Sequence, residues 1–295
     1  MPTIKTLRHR YALTGIHQDV DLLLAESIQK NTAFLDTHPE YRLRASEYLR
    51  FHWFLRRYRR GYSVAVVVGH KEFFGLDFLV NQHTLIPRPE TELMVEEALR
   101  TMNNNESRIM NRGVILIDVG TGSGCIPIAI MKTLKYQNIK TIAIDISRSA
   151  LRVAKKNAEF HHVKIGFLSG SLLEPILKNP SLCPSPIRGG VRGGVVITAN
   201  LPYLTREQVA SEPSVRREPL TALVSEEGGL THYRELFTQV QQIKPVIPTT
   251  ILCEIDPSQS ERMRTMVKSS FPAALVEIKK DLAGRDRLAV ITVSP

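Results

Sequence analysis

The stretch V-V-I-T-A-N-L-P-Y-L-T, Val195 to Thr205, runs an apolar segment suited to a buried strand straight into Asn200, Leu201, Pro202 and Tyr203. Those residue types at that spacing suit one kind of chemistry. A planar NH2 group, on an amide or a nucleobase, is a poor nucleophile because its lone pair is delocalised. Two acceptors that engage its two N–H bonds orient the lone pair and stabilise positive charge as it develops. The side-chain oxygen of Asn200 can be one acceptor and the backbone carbonyl of Leu201 the other. Pro202 stiffens the turn, and the Tyr203 ring can stack on the planar group. No histidine base is required. A strand that merely ends in a proline turn would account for Pro202 and nothing else.

A second constellation lies upstream. V-I-L-I-D-V leads into Gly120, Thr121, Gly122, Ser123 and Gly124 and then a helical pattern. Glycines at a strand-to-helix turn let the backbone approach a nucleotide closely. The dinucleotide fingerprint G-x-G-x-x-G fails in both frames, at Cys125 and at Pro127, and no G-K-[ST] follows for a phosphate loop. The loop therefore suits a cofactor without a pyrophosphate. Asp145, at the end of the next strand T-I-A-I-D, can accept both hydroxyls of a ribose; it or Ser147 could instead cap the following helix. An adenosine cofactor with no phosphate is S-adenosylmethionine. Its sulfonium makes the methyl group an electrophile, so the protein need only place a nucleophile in line.

The elements that must position these groups are legible as patterns. From residue 114 onward strands and helices alternate: V-I-L-I-D-V, then Ile126–Leu134 as a helix, T-I-A-I-D, and Ser149–Phe160 as a helix. Alternation of this kind predicts a parallel sheet covered on both faces, with ligands outside the carboxyl ends of its strands. Residues 1–60 read as helical, with Val20, Leu23, Leu24 and Ile28 on one face. Tyr48, Phe51, Leu55 and Tyr58 form another, broadened by Leu43, Leu49 and Trp53. S-V-A-V-V-V-G-H changes character to a short β-branched run, and F-F-G-L-D-F-L-V alternates like a hairpin. I-P-R-P-E-T-E, Ile86 to Glu92, is a loop stiffened by two prolines that opens a helix. Asn103–Asn105 and Arg112–Gly113 mark a turn-rich connection. Lys178–Gly194 is rich in Pro and Gly without apolar periodicity, the composition of a mobile surface insertion; its two R-G-G triplets leave RNA contact as the other use.

The 295 residues, 43% hydrophobic and 23% charged, suit one large domain or one with a smaller companion. No apolar run approaches the length of a membrane span, and the N-terminus lacks a signal-peptide core. Three scattered cysteines suggest neither a disulfide framework nor a metal site, so no metal is expected and the cytoplasm is the default compartment. The net charge of +10 fits a nucleic-acid or ribonucleoprotein partner, or equally a solvated basic surface. Arg56, Arg57, Arg59 and Arg60 before Gly61 read as a helix C-terminus, where cations suit the macrodipole and glycine suits the cap.

Asn200-Leu201-Pro202-Tyr203 resembles the Asn-Pro-Pro-Tyr signature of amino-group methyltransferases. F-F-G-L-D-F-L-V with L-I-P-R-P-E-T-E-L, then I-D-V-G-T-G-S-G, R-R-E-P-L-T-A-L-V and K-D-L-A-G-R-D-R are similar to the release-factor glutamine methyltransferase family, from about Arg59 to the C-terminus. The resemblance implies an α/β fold, a Rossmann-like class I methyltransferase sheet at 73–295, with a small helical substrate-docking domain at 1–72 and a linking β-hairpin at about 73–88. It implies S-adenosylmethionine-dependent methylation of the glutamine side-chain nitrogen in the Gly-Gly-Gln loop of peptide chain release factors, with the ribosome nearby. Cofactor contacts are implied at Gly120, Thr121, Gly122, Ser123, Gly124, Asp145, Leu172 and Asn200. Substrate contacts are implied from Asn200 to Tyr203, with Asn200 and Tyr203 catalytic. Leu201 replaces the family's first proline, a position that acts through its carbonyl. Ser171-Leu172 stands where the family has Asp and an aromatic, so the adenine contact is weaker or differently made. The nearest rival is an rRNA or DNA amino-group methyltransferase; a catalytically silent binding module for a release factor or the ribosome is the rival of another class.

Overall fold

The computed structural model describes residues 1–12, 16–103, 113–134, 139–179, 194–211, 217–243 and 247–294. Most of the Pro/Gly-rich insertion, and most of the connection after Asn103, lie outside the described residues. The chain divides into two compact units.

The first unit is Met1–His70, with Arg217 grouped into it. Its helices are Ile4–Tyr11, His17–Ser27, Thr32–Thr37, Ala45–Arg59 and Val64–Val68. Val20, Leu23, Leu24 and Ile28 all enter its core together with Phe51 and Leu55. Leu49 and Trp53, expected to widen that apolar face, stand outside it at 69% and 53% exposure. The arginine cluster does end a helix: Gly61 takes φ +89°, and Arg57 lies 5.0 Å over the Trp53 ring. The β-branched run forms a short helix instead of a strand. Ser63 caps it by accepting from the Val66 N–H and Gly69 closes it at φ +95°, so the two flanking residues override β propensity.

The second unit starts at Lys71, within a hairpin of β1 (His70–Phe73) and β2 (Leu76–Leu79) whose first residue, His70, lies three residues before the expected linker. Its turn residues, Phe74 and Gly75, both have positive φ, which matches the twist of a two-residue hairpin. The large sheet contains β3 (Val114–Val119), β4 (Ile139–Asp145), β5 (Gly166–Ser169), β6 (Val195–Ala199), β7 (Thr249–Glu254), β8 (Leu275–Lys280) and β9 (Asp286–Val293). Their order is β5-β4-β3-β6-β7-β9-β8. The five strands from β5 to β7 are parallel, as the alternation predicts. β8 and β9 are antiparallel, which corrects the expectation of an all-parallel sheet. A short link joins them, and Asp281 closes it by accepting from the Ala283 and Arg285 N–H groups. So short a link cannot make a parallel crossover.

Burial on both sides of the sheet explains the unbroken apolar strands. Every residue of β3 is buried, with Ile115, Ile117 and Val119 in one core cluster and Val114 and Leu116 in the other. Helices Glu92–Asn103, Cys125–Thr133, Arg148–Phe160, Thr231–Ile243 and Ser260–Ser270 supply the covering layers. Among the described residues no helix is long and apolar enough to cross a membrane.

Candidate active site

Ile144, Val119, Ala199 and Cys253 lie abreast across β4, β3, β6 and β7. One residue further, Asp145, Gly120, Asn200 and Glu254 stand side by side at the carboxyl ends of the parallel strands. Between β3 and β6 the strand order reverses direction, the place where open α/β sheets hold ligands. Both constellations found in the sequence therefore meet at one point of the sheet.

Gly120, Gly122 and Gly124 all take positive φ, +73°, +57° and +80°. The Gly120 and Thr121 N–H groups donate to the Ile144 carbonyl at 2.9 and 3.0 Å, folding the loop back over β4. A Cβ on Gly124 would sit 3.2 Å from the Cβ of Ala154, so this glycine allows the close helix contact that the fingerprint assigns to its third glycine. A Cβ on Gly122 would meet nothing nearer than the Gly120 carbonyl at 4.0 Å. Asp145 accepts from the Gly122 N–H at 2.8 Å through Oδ2 and from the Ser147 N–H at 2.7 Å through Oδ1. Each carboxylate oxygen keeps a lone pair, and burial raises the pKa against those two bonds. The cap of the next helix is Ser147, which accepts from the Ala150 N–H, so Asp145 is not used up as a cap. Asn157 clamps the loop from below, donating to the Ser123 and Leu79 carbonyls and accepting from the Leu79 N–H.

Three buried polar atoms here have no hydrogen-bond partner among the described residues: Asp118 Oδ2, Thr121 Oγ1 and Ser123 Oγ. Burial pushes the Asp118 carboxyl up to about 6, with the Thr198 hydroxyl, 2.7 Å from Oδ1, opposing the shift and Asp145 adding to it. Leu172 lies beyond β5 at φ +49°, buried in the core cluster that also holds Ile144 and Leu173.

Asn200 is held by its nitrogen. Nδ2 donates to Thr91 Oγ1 at 3.1 Å and to Glu254 Oε2 at 3.0 Å. Its Oδ1 takes no part in these two bonds. Glu254 Oε1 accepts from the Tyr203 hydroxyl at 3.0 Å. Burial raises the Glu254 pKa, while the Thr91 and Tyr203 hydroxyls and the Arg287 charge hold it down. Burial and the Glu254 charge also drive the Tyr203 phenol up, so it stays a donor. Leu201 is buried; its N–H donates to the Tyr233 hydroxyl at 3.3 Å, and that hydroxyl also contacts the Ala199 and Glu254 carbonyls. Gln259 fixes the turn by donating to the Tyr203 carbonyl at 2.9 Å.

Sequence patterns alone missed Glu254, Thr91 and Tyr233 as members of this group. The detectable signal was I-L-C-E, a buried strand that ends in a carboxylate just as V-V-I-T-A ends in an amide. Thr91 comes from I-P-R-P-E-T-E, which E-P-L-T-A-L anchors: Glu218 accepts from the Ile86 N–H at 3.2 Å and from the Arg88 guanidinium. Among the described residues no group of His, Cys, Asp or Glu could hold a metal ion.

Comparison with known proteins places the chain in a family. Over residues 92–177 the chain matches the ribosomal protein L11 methyltransferase (PrmA) family. A release factor glutamine methyltransferase from Enterococcus faecalis is 34% identical over 231 residues, 78% of this chain and 75% of the relative. The chain belongs to the release factor glutamine methyltransferase family. A second member, from Bacillus subtilis, is 32% identical over 246 residues, 82% of this chain and 79% of its own. In fold the chain is similar to the N-terminal domain of human METTL16 in complex with SAH, with TM-score 0.51 and 16% identity over 97% of this chain and 96% of that one. The architecture is that of a class I methyltransferase, whose methyl donor is S-adenosylmethionine. The residues present fit that donor. A Cβ at Gly122 would touch only the Gly120 carbonyl oxygen, at 4.0 Å, and the Thr121 and Ser123 hydroxyls and Asp118 Oδ2 are buried without partners among the described residues.

Proposed function

We propose that the protein transfers a methyl group to the side-chain amide nitrogen of the glutamine in the Gly-Gly-Gln motif of peptide chain release factors. One observation carries the mechanism: at the carboxyl end of β6 Asn200 is gripped through Nδ2 by Thr91 and Glu254, two bonds in which Oδ1 takes no part. Gly120, Thr121, Gly122, Ser123, Gly124 and Asp145 would hold the donor, with Leu172 nearby. Bound S-adenosylmethionine supplies an electrophilic methyl group. Asn200 Oδ1 and the Leu201 carbonyl accept the two N–H bonds of the target amide, turning its lone pair toward the methyl and stabilising the positive charge that develops. The Tyr203 ring packs on the amide plane, and Pro202 keeps the acceptors at fixed separation. The methylated nitrogen is a strong acid and loses its extra proton to solvent.

The same reading gives the helical unit, residues 1–72, a docking role for the release factor and puts the protein in the cytoplasm near the ribosome. Its test is direct. Labelled donor is incubated with the protein, a release factor and RNA. Label should enter the release factor and vanish when its Gly-Gly-Gln glutamine is replaced; label in RNA overturns the substrate class. Asn200→Ala should slow single-turnover transfer by about 10²–10³-fold at saturating donor, as the loss of one transition-state hydrogen bond does elsewhere. A wild-type rate for Asn200→Ala refutes the mechanism.

A further inference from the structure

An asparagine side chain has two nearly isosteric ends, and only one of them can accept a hydrogen bond. If Asn200 turned over, an NH2 group would meet the NH2 group of the target and repel it. Something must therefore choose the orientation. Among the described residues the bonds made by the Asn200 amide go to side chains, not to the backbone of Asn200-Leu201-Pro202-Tyr203. Glu254 is placed to do it: it ends β7 beside Asn200, it is 2% exposed, and its two oxygens reach Asn200 Nδ2 and the Tyr203 hydroxyl, both at 3.0 Å.

We propose that Glu254 is a positioning residue, whose carboxylate fixes the Asn200 amide with Nδ2 inward and Oδ1 facing the substrate and anchors the Tyr203 ring in the same grip. An ionised carboxylate is acceptor-only, so it takes the NH2 end and rejects the oxygen end. Thr91 reinforces the choice through its own bond to Nδ2. The inference rests on the reading of Asn200 Oδ1 as the acceptor for the reacting amide.

Glu254→Gln inverts this logic at constant shape. The Tyr203 hydroxyl donates to the oxygen of the new amide, so the new NH2 end faces Asn200 and favours the flipped, non-accepting orientation. Adding Asn200→Asp in the same background restores a matched pair. The introduced amide then donates to one oxygen of the introduced carboxylate, and the other oxygen faces the substrate. Asn200→Asp alone sets two carboxylates against each other.

The experiment measures single-turnover methylation of a release factor by the full chain at saturating S-adenosylmethionine, with the release factor titrated. S-adenosylhomocysteine affinity and melting temperature are followed in parallel. Glu254→Gln should lower the maximal rate about 10- to 100-fold, the scale of a charge-assisted hydrogen bond. Half-saturation by release factor and product affinity should stay within about threefold. The double variant Glu254→Gln, Asn200→Asp should exceed both single variants in maximal rate. A merely structural role for Glu254 predicts additive losses. A wild-type maximal rate for Glu254→Gln, or additive losses in the double variant, overturns the proposal. If Glu254→Gln is unstable, the double variant against Asn200→Asp alone decides it, since both carry the same change at position 200. Asn200→Ala at the wild-type rate would instead sink the acceptor reading on which the proposal stands.

Discussion

Two glycines of one loop should fail in different ways when each receives a methyl group. Gly120 and Gly122 both lie in the left-handed region, at φ +73° and +57°, so alanine costs about 1–2 kcal/mol of stability at either position. Their surroundings differ. The new Cβ at position 120 would lie 3.0 Å from Leu201 Cδ2, against about 3.5–4.0 Å for a relaxed carbon contact. Leu201 is 4% exposed within the core and has little room to swing aside, so the strain passes to its backbone. That backbone carries the carbonyl proposed as an acceptor, and it need give by only a few tenths of an ångström, a fraction of the 1 Å misplacement that costs on the order of 10²-fold in rate. Gly120→Ala should therefore slow single-turnover methylation of a release factor about 5- to 10-fold at saturating donor. Binding of S-adenosylhomocysteine, measured by titration calorimetry, should weaken no more than about threefold. The Cβ at position 122 would have only the Gly120 carbonyl oxygen within 4.0 Å and should obstruct the donor instead. Gly122→Ala should weaken product binding about tenfold or more, with the saturated rate within about threefold of wild type, because it adds bulk without moving an acceptor. A wild-type rate for Gly120→Ala, or the same pattern of loss in both variants, would refute the division between a loop face that supports Leu201 and one that meets the donor.

Asp118 should couple stability to pH. Its folded pKa of about 6 lies above the unfolded value of 3.8, so the native state binds the extra proton between those values and stability falls as pH rises through that window. The loss amounts to about 3 kcal/mol. Asp118→Asn should flatten melting temperature over that range, and at pH 7 it should weaken binding of the cationic S-adenosylmethionine more than that of neutral S-adenosylhomocysteine; equal effects on the two ligands would remove Asp118 from the donor site. Residues 71–295 alone should bind S-adenosylhomocysteine within about threefold of the full chain but a release factor at least about tenfold more weakly, since a donor site whose contacts all lie in one unit needs no more than that unit. Unchanged release-factor affinity would deny the helical unit its docking role.

What the sequence shows of this fold is what short-range physics controls. V-I-L-I-D-V and V-V-I-T-A are unbroken apolar runs because both sheet faces are covered, and the glycines after β3 announce a turn that side chains would strain. Val64–Val68 misleads for the same reason: β-branched composition points to a strand, while two flanking residues, Ser63 and Gly69, set a helix. Leu49 and Trp53 follow the helical period onto an apolar face, yet nothing in the period says how wide a stripe the core can accept. The antiparallel edge is hidden because strand direction depends on the length of the link between β8 and β9, and apolar pattern carries no sign of direction.

The site divides along the same line. Asn200 and the glycine loop could be read because each is a local departure from its own strand. Glu254 and Thr91 could not, since 54 and 109 residues separate them from Asn200 in the chain and only the sheet brings them together. Even so, Glu254 had a physical signature. Burying a carboxylate is costly unless donors meet it, so a carboxylate closing the buried run I-L-C-E demands partners at the same sheet edge. A parallel neighbour whose own end delivers an amide and a phenol supplies two such donors. The carboxylate that burial makes expensive is thus the group proposed to decide which end of Asn200 faces the substrate, and on that proposal stability and catalytic orientation depend on the same two hydrogen bonds.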